Sequence, residues 1–149
     1  GGREALLLAV ARTEGGKFFT GVGARLAAAA TLEELLVAGI TEAARRITEH
    51  PALRFLVEHE PEFVLPRLAF HQMDSALALA SGFAAPHLGR FIAPAEHAHR
   101  VAEWVSRIVV SYTITPSPDV DLTDDESARR LVRSFILPGL TAITTSPTE

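Results

Sequence analysis

Hydrophobic residues recur at helical spacing along most of the chain. The clearest segment has apolar positions at i, i+3, i+4, i+7, i+8 and i+11 without interruption: Val101, Trp104, Val105, Ile108, Val109 and Tyr112. Such a stripe is typical of an amphipathic helix that buries one face. Clusters of Val, Ile and Thr fall inside the same helical pattern. We therefore predict an all-α fold, a helical bundle of about seven to nine helices.

Capping residues and prolines set the expected helix boundaries. Two Thr-x-x-Glu sequences, at 31–34 and 123–126, have the spacing of a capping box, whereas proline breaks a helix interior. We predict helices over 3–12, 17–30, 32–50, 68–88 and 94–115, two short helical pieces between residues 51 and 66, and a last helix that ends at Pro138-Gly139.

The composition favours one domain spanning residues 1–149. Hydrophobic residues make up 48% of the chain and the net charge is only -4, which excludes intrinsic disorder. The longest uncharged stretches, 75–89 and 134–148, contain proline and fall short of the roughly 20 apolar residues of a membrane span. The absence of cysteine excludes disulfides and thiolate catalysis, and no signal peptide is visible, so we expect a cytoplasmic protein without membrane association.

Basic residues are dispersed along the chain rather than clustered. The only adjacent pairs are Arg45–Arg46 and Arg129–Arg130, and 18 acidic residues outnumber 14 basic ones. A domain that binds nucleic acid usually carries a basic surface that neutralises phosphates. We therefore expect no direct binding of DNA or RNA by these residues.

The six histidines do not have the spacing of a helical metal site. No two of them are three or four residues apart, the separation that places two ligands on one helix face. We predict neither a metal nor another cofactor. The most notable polar pair is His71 with Asp74, at i,i+3, where the carboxylate could orient the imidazole. No Gly-x-Ser-x-Gly nucleophile motif accompanies this pair, so three roles stay open: a surface ion pair, a polar ligand anchor and a catalytic pair.

Three aromatic residues are concentrated in the proline-broken segment, namely Phe55, Phe63 and Phe70. Helices interrupted by proline cannot pack as tight parallel rods and tend to leave gaps. Apolar gaps between helices are common small-molecule sites. These side chains therefore line either a ligand pocket or the core.

The apolar stripes of the last two predicted helices are wider than one neighbouring helix requires. Two such helices from each of two subunits would form a four-helix bundle with two-fold symmetry. The alternative is that both helices cover the core of their own chain. The dimer interface that we predict consists of Val101, Trp104, Val105, Ile108, Tyr112, Leu131, Val132 and Phe135.

Three segments resemble regulators of the TetR (tetracycline-repressor-like) family. Residues 1–10, GGREALLLAV, are similar to the start of the helix that follows the recognition helix in that family. Residues 130–140, RLVRSFILPGL, resemble the closing helix of many members, and residues 50–61, HPALRFLVEHEP, resemble the short middle helices. The resemblance covers essentially the whole chain, but the helix-turn-helix itself is not in it.

The resemblance implies a TetR-like C-terminal ligand-binding and dimerisation domain of a transcriptional regulator, which we expect to be a repressor and not an enzyme. The DNA-binding domain would precede residue 1, so operator DNA would be bound only through that domain. The expected partners are a second copy of the chain and a small, mostly hydrophobic effector among the central helices. The effector contacts expected on this basis are Phe55, Phe70, Met73, Leu77, Trp104 and Ile108, with His71 or Asp74 as polar anchor.

Two other functions stay open. An all-helical enzyme would use His71 and Asp74 in a pocket, and a purely structural dimerisation module would have a completely filled core. The size of the internal cavity distinguishes two of these hypotheses. A cavity larger than about 300 Å³ would favour the effector sensor, and the absence of one would favour the structural module.

Overall fold

The computed structural model describes residues 1–59 and 71–145, and every regular element in these ranges is helical. The expected all-α fold is therefore confirmed, and the helices Leu32–Glu49 and Ala95–Ile114 match their predicted ranges to within one residue at each end. The elements are α1 (Gly2–Ala28), α2 (Leu32–Glu49), α3 (Pro51–His59), α4 (His71–Leu88), α5 (Ala95–Ile114), α6 (Asp125–Leu131), a π-helical turn (Val132–Ile136) and α7 (Leu137–Thr145).

Helix α1 is one continuous helix where the sequence predicts two. The expected break between residues 12 and 17 contains Gly15-Gly16, but the helix runs unbroken through this pair. Glycine weakens a helix by only about 1 kcal/mol relative to alanine and keeps its backbone N–H, so the hydrogen-bond ladder continues. At about 1.5 Å per residue, α1 is about 40 Å long.

The capping box at the start of α2 is confirmed. The Glu34 N–H donates to the Thr31 hydroxyl (3.1 Å), and the Thr31 N–H donates to the Glu34 carboxylate (3.3 Å). These two bonds satisfy backbone donors that a helix start otherwise leaves free. They fix the point at which the chain turns from α1 into α2.

The second predicted capping box is wrong by one residue. Asp124 caps α6 by accepting a hydrogen bond from the Ser127 N–H (2.7 Å). Thr123 instead donates both its hydroxyl (2.6 Å) and its N–H (2.8 Å) to the Asp121 carboxylate. These two bonds also hold the pKa of Asp121 below its usual range.

The C-terminal helix does not end at Pro138-Gly139, as the sequence predicts, but continues to Thr145. The turn before Pro138 is π-helical, and the Leu137 N–H donates to the Val132 carbonyl five residues earlier. Proline lacks a donor and its ring crowds the preceding turn of an α-helix. The wider π turn places an extra residue there, so the helix passes the proline without ending.

Helix α2 lies at the centre of the described part of the molecule. It packs against α1, α3, α4, α5, α6 and the π turn, and α4 packs along α5. The side chains of Leu36 and Ile40 on α2 and of Val132 and Ile136 on the π turn are buried. Within residues 1–59 and 71–145, no helix combines the length and the apolar character needed to cross a membrane.

An ion-pair bridge joins the start of α2 to the C-terminal helices. The Glu33 carboxylate accepts hydrogen bonds from Arg129 on α6 (2.8 Å) and lies 2.9 Å from the Arg133 guanidinium on the π turn. The two arginines, Arg133 more than Arg129, hold the pKa of Glu33 below its usual range. A carboxyl group whose pKa is lowered by folding stabilises the native state above its ordinary pKa, and this contribution is lost as the pH falls through the lowered value.

We predict that Glu33→Gln lowers the melting temperature slightly near neutral pH, because both arginines lose their shared charged partner. The difference from the unsubstituted chain should shrink as the pH falls below the ordinary pKa of a glutamate and Glu33 becomes protonated. Thermal melts followed by circular dichroism at several pH values measure this. Glu49→Gln, at the exposed end of the same helix, is the matched control. A difference that grows on acidification would contradict the bridge.

Candidate functional site

An apolar cavity of about 330 Å³ lies between α1, α2, α4 and α5. Helix α1 contributes Val22 and Leu26 to its wall, and α2 contributes Ile40. Leu77 of α4 and Val109 of α5 close the other side. Two pairs of consecutive helices, α1 with α2 and α4 with α5, therefore share one space between them.

Small side chains on α4 leave this space open. Ala76, Ala80 and Ala84 all line the cavity, and their spacing of four residues places them on one face of the helix. Leucine side chains at these positions would reach the opposite wall of the cavity. The methyl groups of alanine are too short to do so. The cavity is therefore a direct consequence of the alanines at these three positions.

Aromatic rings close the wall between α1 and α4. The rings of Phe19 and Phe83 lie 4.8 Å apart, centroid to centroid, and the rings of Phe18 and Phe19 meet edge to face at 5.3 Å. Gly23 faces the Phe83 ring, and a Cβ atom at that position would lie only 3.0 Å from its Cζ atom. The glycine weakens α1 locally, but it makes room for the ring that joins α1 to α4.

The lining offers a ligand almost no polar group. Among the lining residues that the structure describes, only Ser106 carries a hydroxyl, and none carries a charge or an amide. The Ser106 hydroxyl already donates to the Ala102 carbonyl (2.8 Å). In the described residues, every buried polar side-chain atom has a hydrogen-bond partner. The cavity can therefore hold a molecule by apolar contact and by shape.

The cavity reaches the surface along α4. Leu79, which lines it, is 62% exposed, and Ala76 is exposed as well. At the far end, the Arg90 guanidinium donates to the Ala29 carbonyl (2.5 Å) and to the Leu26 carbonyl (3.1 Å), which also accepts from the Ala29 N–H (3.3 Å). The chain that follows α4 is thus tied to the end of α1.

The structure brings two of the predicted effector contacts, Met73 and Leu77, to the cavity. Trp104 and Ile108 are not among the described lining residues. Cavity-facing positions on α5 are 102, 105, 106, 109 and 110, so that Trp104 lies on the opposite face of the helix and Ile108 on its flank. Trp104 instead borders a separate hollow of about 170 Å³ with His97, Arg100 and Val101. The apolar stripe shows which positions can be buried, but not which helix each of them meets.

Two other predicted contacts, Phe55 and Asp74, are not among the described lining residues. Phe55 on α3 is exposed, and its ring stacks on His59 at 4.6 Å. Asp74 is also exposed and lies outside the lining. Phe70 and the side chain of His71 lie outside the described residues. The lining residues on α1 and α2 were missed, and the signal that could have found the cavity was the alanine spacing on α4.

The predicted dimer interface is wrong for the residues that face inward. Val101 is 4% exposed, Leu131 8% and Val132 0%, because these side chains pack into the core of their own chain, and Val105 lines the cavity. For these four residues the alternative, coverage of the chain's own core, is correct. Ile108 and Tyr112 are half-buried against the same core.

Two aromatic side chains of the predicted interface do face outward. Trp104 on α5 is 41% exposed and Phe135 on the π turn is 69% exposed. Trp104 also approaches α7, since a Cβ atom at Gly139 would lie 3.7 Å from its ring. Interface roles for Trp104 and Phe135 stay predictions. Among the described side chains, no group of three or more His, Asp or Glu residues comes together as metal ligands would.

We predict that Ala80→Leu raises the free energy of unfolding by about 1 kcal/mol, because the larger side chain fills existing space. Ala78→Leu, on the exposed side of the same helix, should change it by less than about 0.5 kcal/mol. Urea denaturation of both variants and of the parent chain measures the difference. Destabilisation by Ala80→Leu would mean that the site is already filled, as overpacking of a dense core is unfavourable.

The chain matches no protein-family model, no curated protein and no solved structure. The similarity to tetracycline-repressor-like regulators therefore rests on the three sequence segments quoted above. It stays a prediction.

Proposed function

We propose that this chain is the effector-sensing and homodimerisation domain of a TetR-like transcriptional regulator, without enzymatic activity of its own. In this proposal a small, mostly hydrophobic effector occupies the cavity between α1, α2, α4 and α5. The observation that carries the proposal is the cavity itself, which is apolar, reaches the surface and is built from four helices.

The size of the cavity favours a sensor over a purely structural module. Small-molecule sites in proteins occupy about 300–1,000 Å³, and this cavity, at about 330 Å³, lies at the lower end of that range. A module with only a structural role would be expected to have a filled core, since close packing adds stability. The space is suited to a compact ligand.

The position of α1 offers a route by which an effector would act. Val22 and Leu26 of this helix line the cavity, so a ligand would touch α1 directly. The sequence resemblance implies that the first part of α1 leads to a DNA-binding domain. A shift of α1 would change the separation of two DNA-binding heads, which must lie about 34 Å apart to meet successive major grooves. A coupling of about 1–3 kcal/mol between effector and operator suffices for such a switch.

Outward-facing aromatic residues support the homodimer. Trp104 and Phe135 lie on neighbouring elements, α5 and the π turn, and both expose large apolar surfaces. On a two-fold axis, the same patch of each subunit would cover that of the other. The Glu103–Arg107 ion pair (2.8 Å) on the outer face of α5 would lie at the polar rim of this contact.

The cavity can be tested with naphthalene as an apolar probe. Met73 is the only methionine of the chain and lines the cavity, so a ¹³C-methyl methionine label gives a single resonance that reports on it. We predict that naphthalene shifts this resonance saturably. Ala80→Trp or Ala84→Trp should abolish the shift by occupying the space, whereas Ala78→Trp on the exposed face should preserve it.

Thermal melts of the three variants verify that each is folded. If naphthalene leaves the Met73 resonance unchanged in the unsubstituted chain, the cavity is not a ligand site and the sensor proposal fails.

Dimerisation can be tested at the two aromatic residues. We predict that the unsubstituted chain is a dimer by light scattering, and that Trp104→Glu and Phe135→Glu each give monomers, because a charge would be buried without a partner. Phe55→Glu, at a phenylalanine on α3 whose exposure (56%) lies between those of Trp104 (41%) and Phe135 (69%), should leave the dimer intact. A monomeric parent chain, or dimers in all three variants, would refute this interface.

A further inference from the structure

The part of the cavity wall that the structure describes holds no group that could neutralise a charged ligand. Its described side chains are hydrocarbon apart from the Met73 thioether and the Ser106 hydroxyl, and that hydroxyl is committed to the backbone of its own helix. The described residues also contain no buried polar side-chain atom that lacks a partner. Sites that recognise a polar ligand group usually provide a few converging donors or acceptors. Such groups are absent from the described wall.

Charged side chains next to the lining are directed to partners outside the cavity. Ion pairs on three of the four helices include Lys17 with Glu14 (3.0 Å), Arg46 with Glu42 (2.7 Å) and Arg107 with Glu103 (2.8 Å). On α4, Asp74 is exposed, and His87 lies behind the Phe83 ring at a centroid distance of 5.5 Å. The Arg46 guanidinium covers the backbone of α1 at Gly21 and does not line the cavity.

We infer that the cavity accepts only the uncharged form of a ligand, so that it selects compact hydrocarbons and admits an organic acid solely when the acid is protonated. This inference rests on the proposed function and specifies the chemical class of the effector. An unpaired carboxylate transferred into an apolar interior loses its hydration without compensation. Protonation before entry is the less costly route.

The volume sets the size of the preferred ligand. An apolar cavity of about 150 Å³ holds one benzene molecule. The cavity here is roughly twice as large, about 330 Å³, and so matches two fused rings. Naphthalene and its simple derivatives therefore fill it without requiring the helices to separate.

The protonated fraction of an acidic ligand determines how its apparent affinity depends on pH. A carboxyl group with an ordinary pKa near 4 is protonated in about one molecule in a thousand at pH 7. If only this form enters, the apparent affinity at pH 7 is about a thousandfold weaker than that of an uncharged analogue of the same shape. It then rises about tenfold for each unit by which the pH is lowered toward 5.

The experiment compares 2-methylnaphthalene with 2-naphthoic acid, which differ in charge but share the fused rings. Binding is followed through the Met73 ¹³C-methyl resonance at about pH 7 and pH 5. We expect the affinity for 2-methylnaphthalene to be the same at both pH values. For 2-naphthoic acid we expect an affinity about a thousandfold weaker at pH 7 and a gain of about a hundredfold at pH 5.

Two variants verify that this behaviour belongs to the ligand and to the cavity. His87→Gln removes the titratable ring behind Phe83, and the gain at pH 5 should persist in it. Ala80→Trp should abolish the binding of both compounds, since position 80 lines the cavity. Loss of the gain in His87→Gln, or naphthoate binding that survives in Ala80→Trp, would overturn the inference.

The possible failures are distinguishable. If 2-naphthoate binds at pH 7 as tightly as 2-methylnaphthalene, with no gain at pH 5, the selection of uncharged ligands is wrong while the cavity remains a ligand site. If neither compound binds at either pH, the proposed effector site fails, and the inference fails with it.

Discussion

Burial of the apolar face of α2 is the constraint on which the rest of the described structure depends. Leu36 and Ile40 are enclosed by helices from both ends of the chain, and the π turn adds Ile136 to the same core. Burial of such side chains contributes about 1.5–3 kcal/mol each. Helices α1, α4 and α5 must therefore gather around α2 even where their own side chains are too short to fill the enclosed space. The cavity arises beside α4, because the alanine side chains on the inner face of that helix are too short to fill the enclosed space.

The same arrangement holds the C-terminal end of α1 in place. Toward its C-terminus, Phe83 packs against Gly23, and Arg90 donates to the last carbonyls of the helix. Both contacts come from α4 or from the chain just after it, so α1 and α4 hold the cavity as a pair. A ligand that moved either helix would act on the other through Phe83. A helix about 40 Å long, held near one end, converts a small tilt there into a larger displacement at the other end.

Much of the fold could be predicted from the sequence because amphipathic stripes and capping boxes are local signals, as the ranges of α2 and α5 show. Gly15-Gly16 was misjudged because glycine weakens a helix without removing a donor. Pro138 was misjudged because the π turn that accommodates it has no sequence signature of its own. The cavity and the outward position of Trp104 depend on which helices meet. Spacing within one helix does not contain that information.

The cavity and the exposed aromatic residues are both departures from the most stable packing that this fold could have. Larger side chains at Ala80 and Ala84 would add apolar contacts inside, and polar residues at Trp104 and Phe135 would suit the surface better. Local departures of this kind are expected at functional sites, where residues that bind a partner or a ligand are not the residues that would give the most stable packing. Their separation is also informative, because the cavity lies on one side of α5 and the aromatic patch on another. A ligand and a second subunit would therefore contact the same helix without competing for the same atoms.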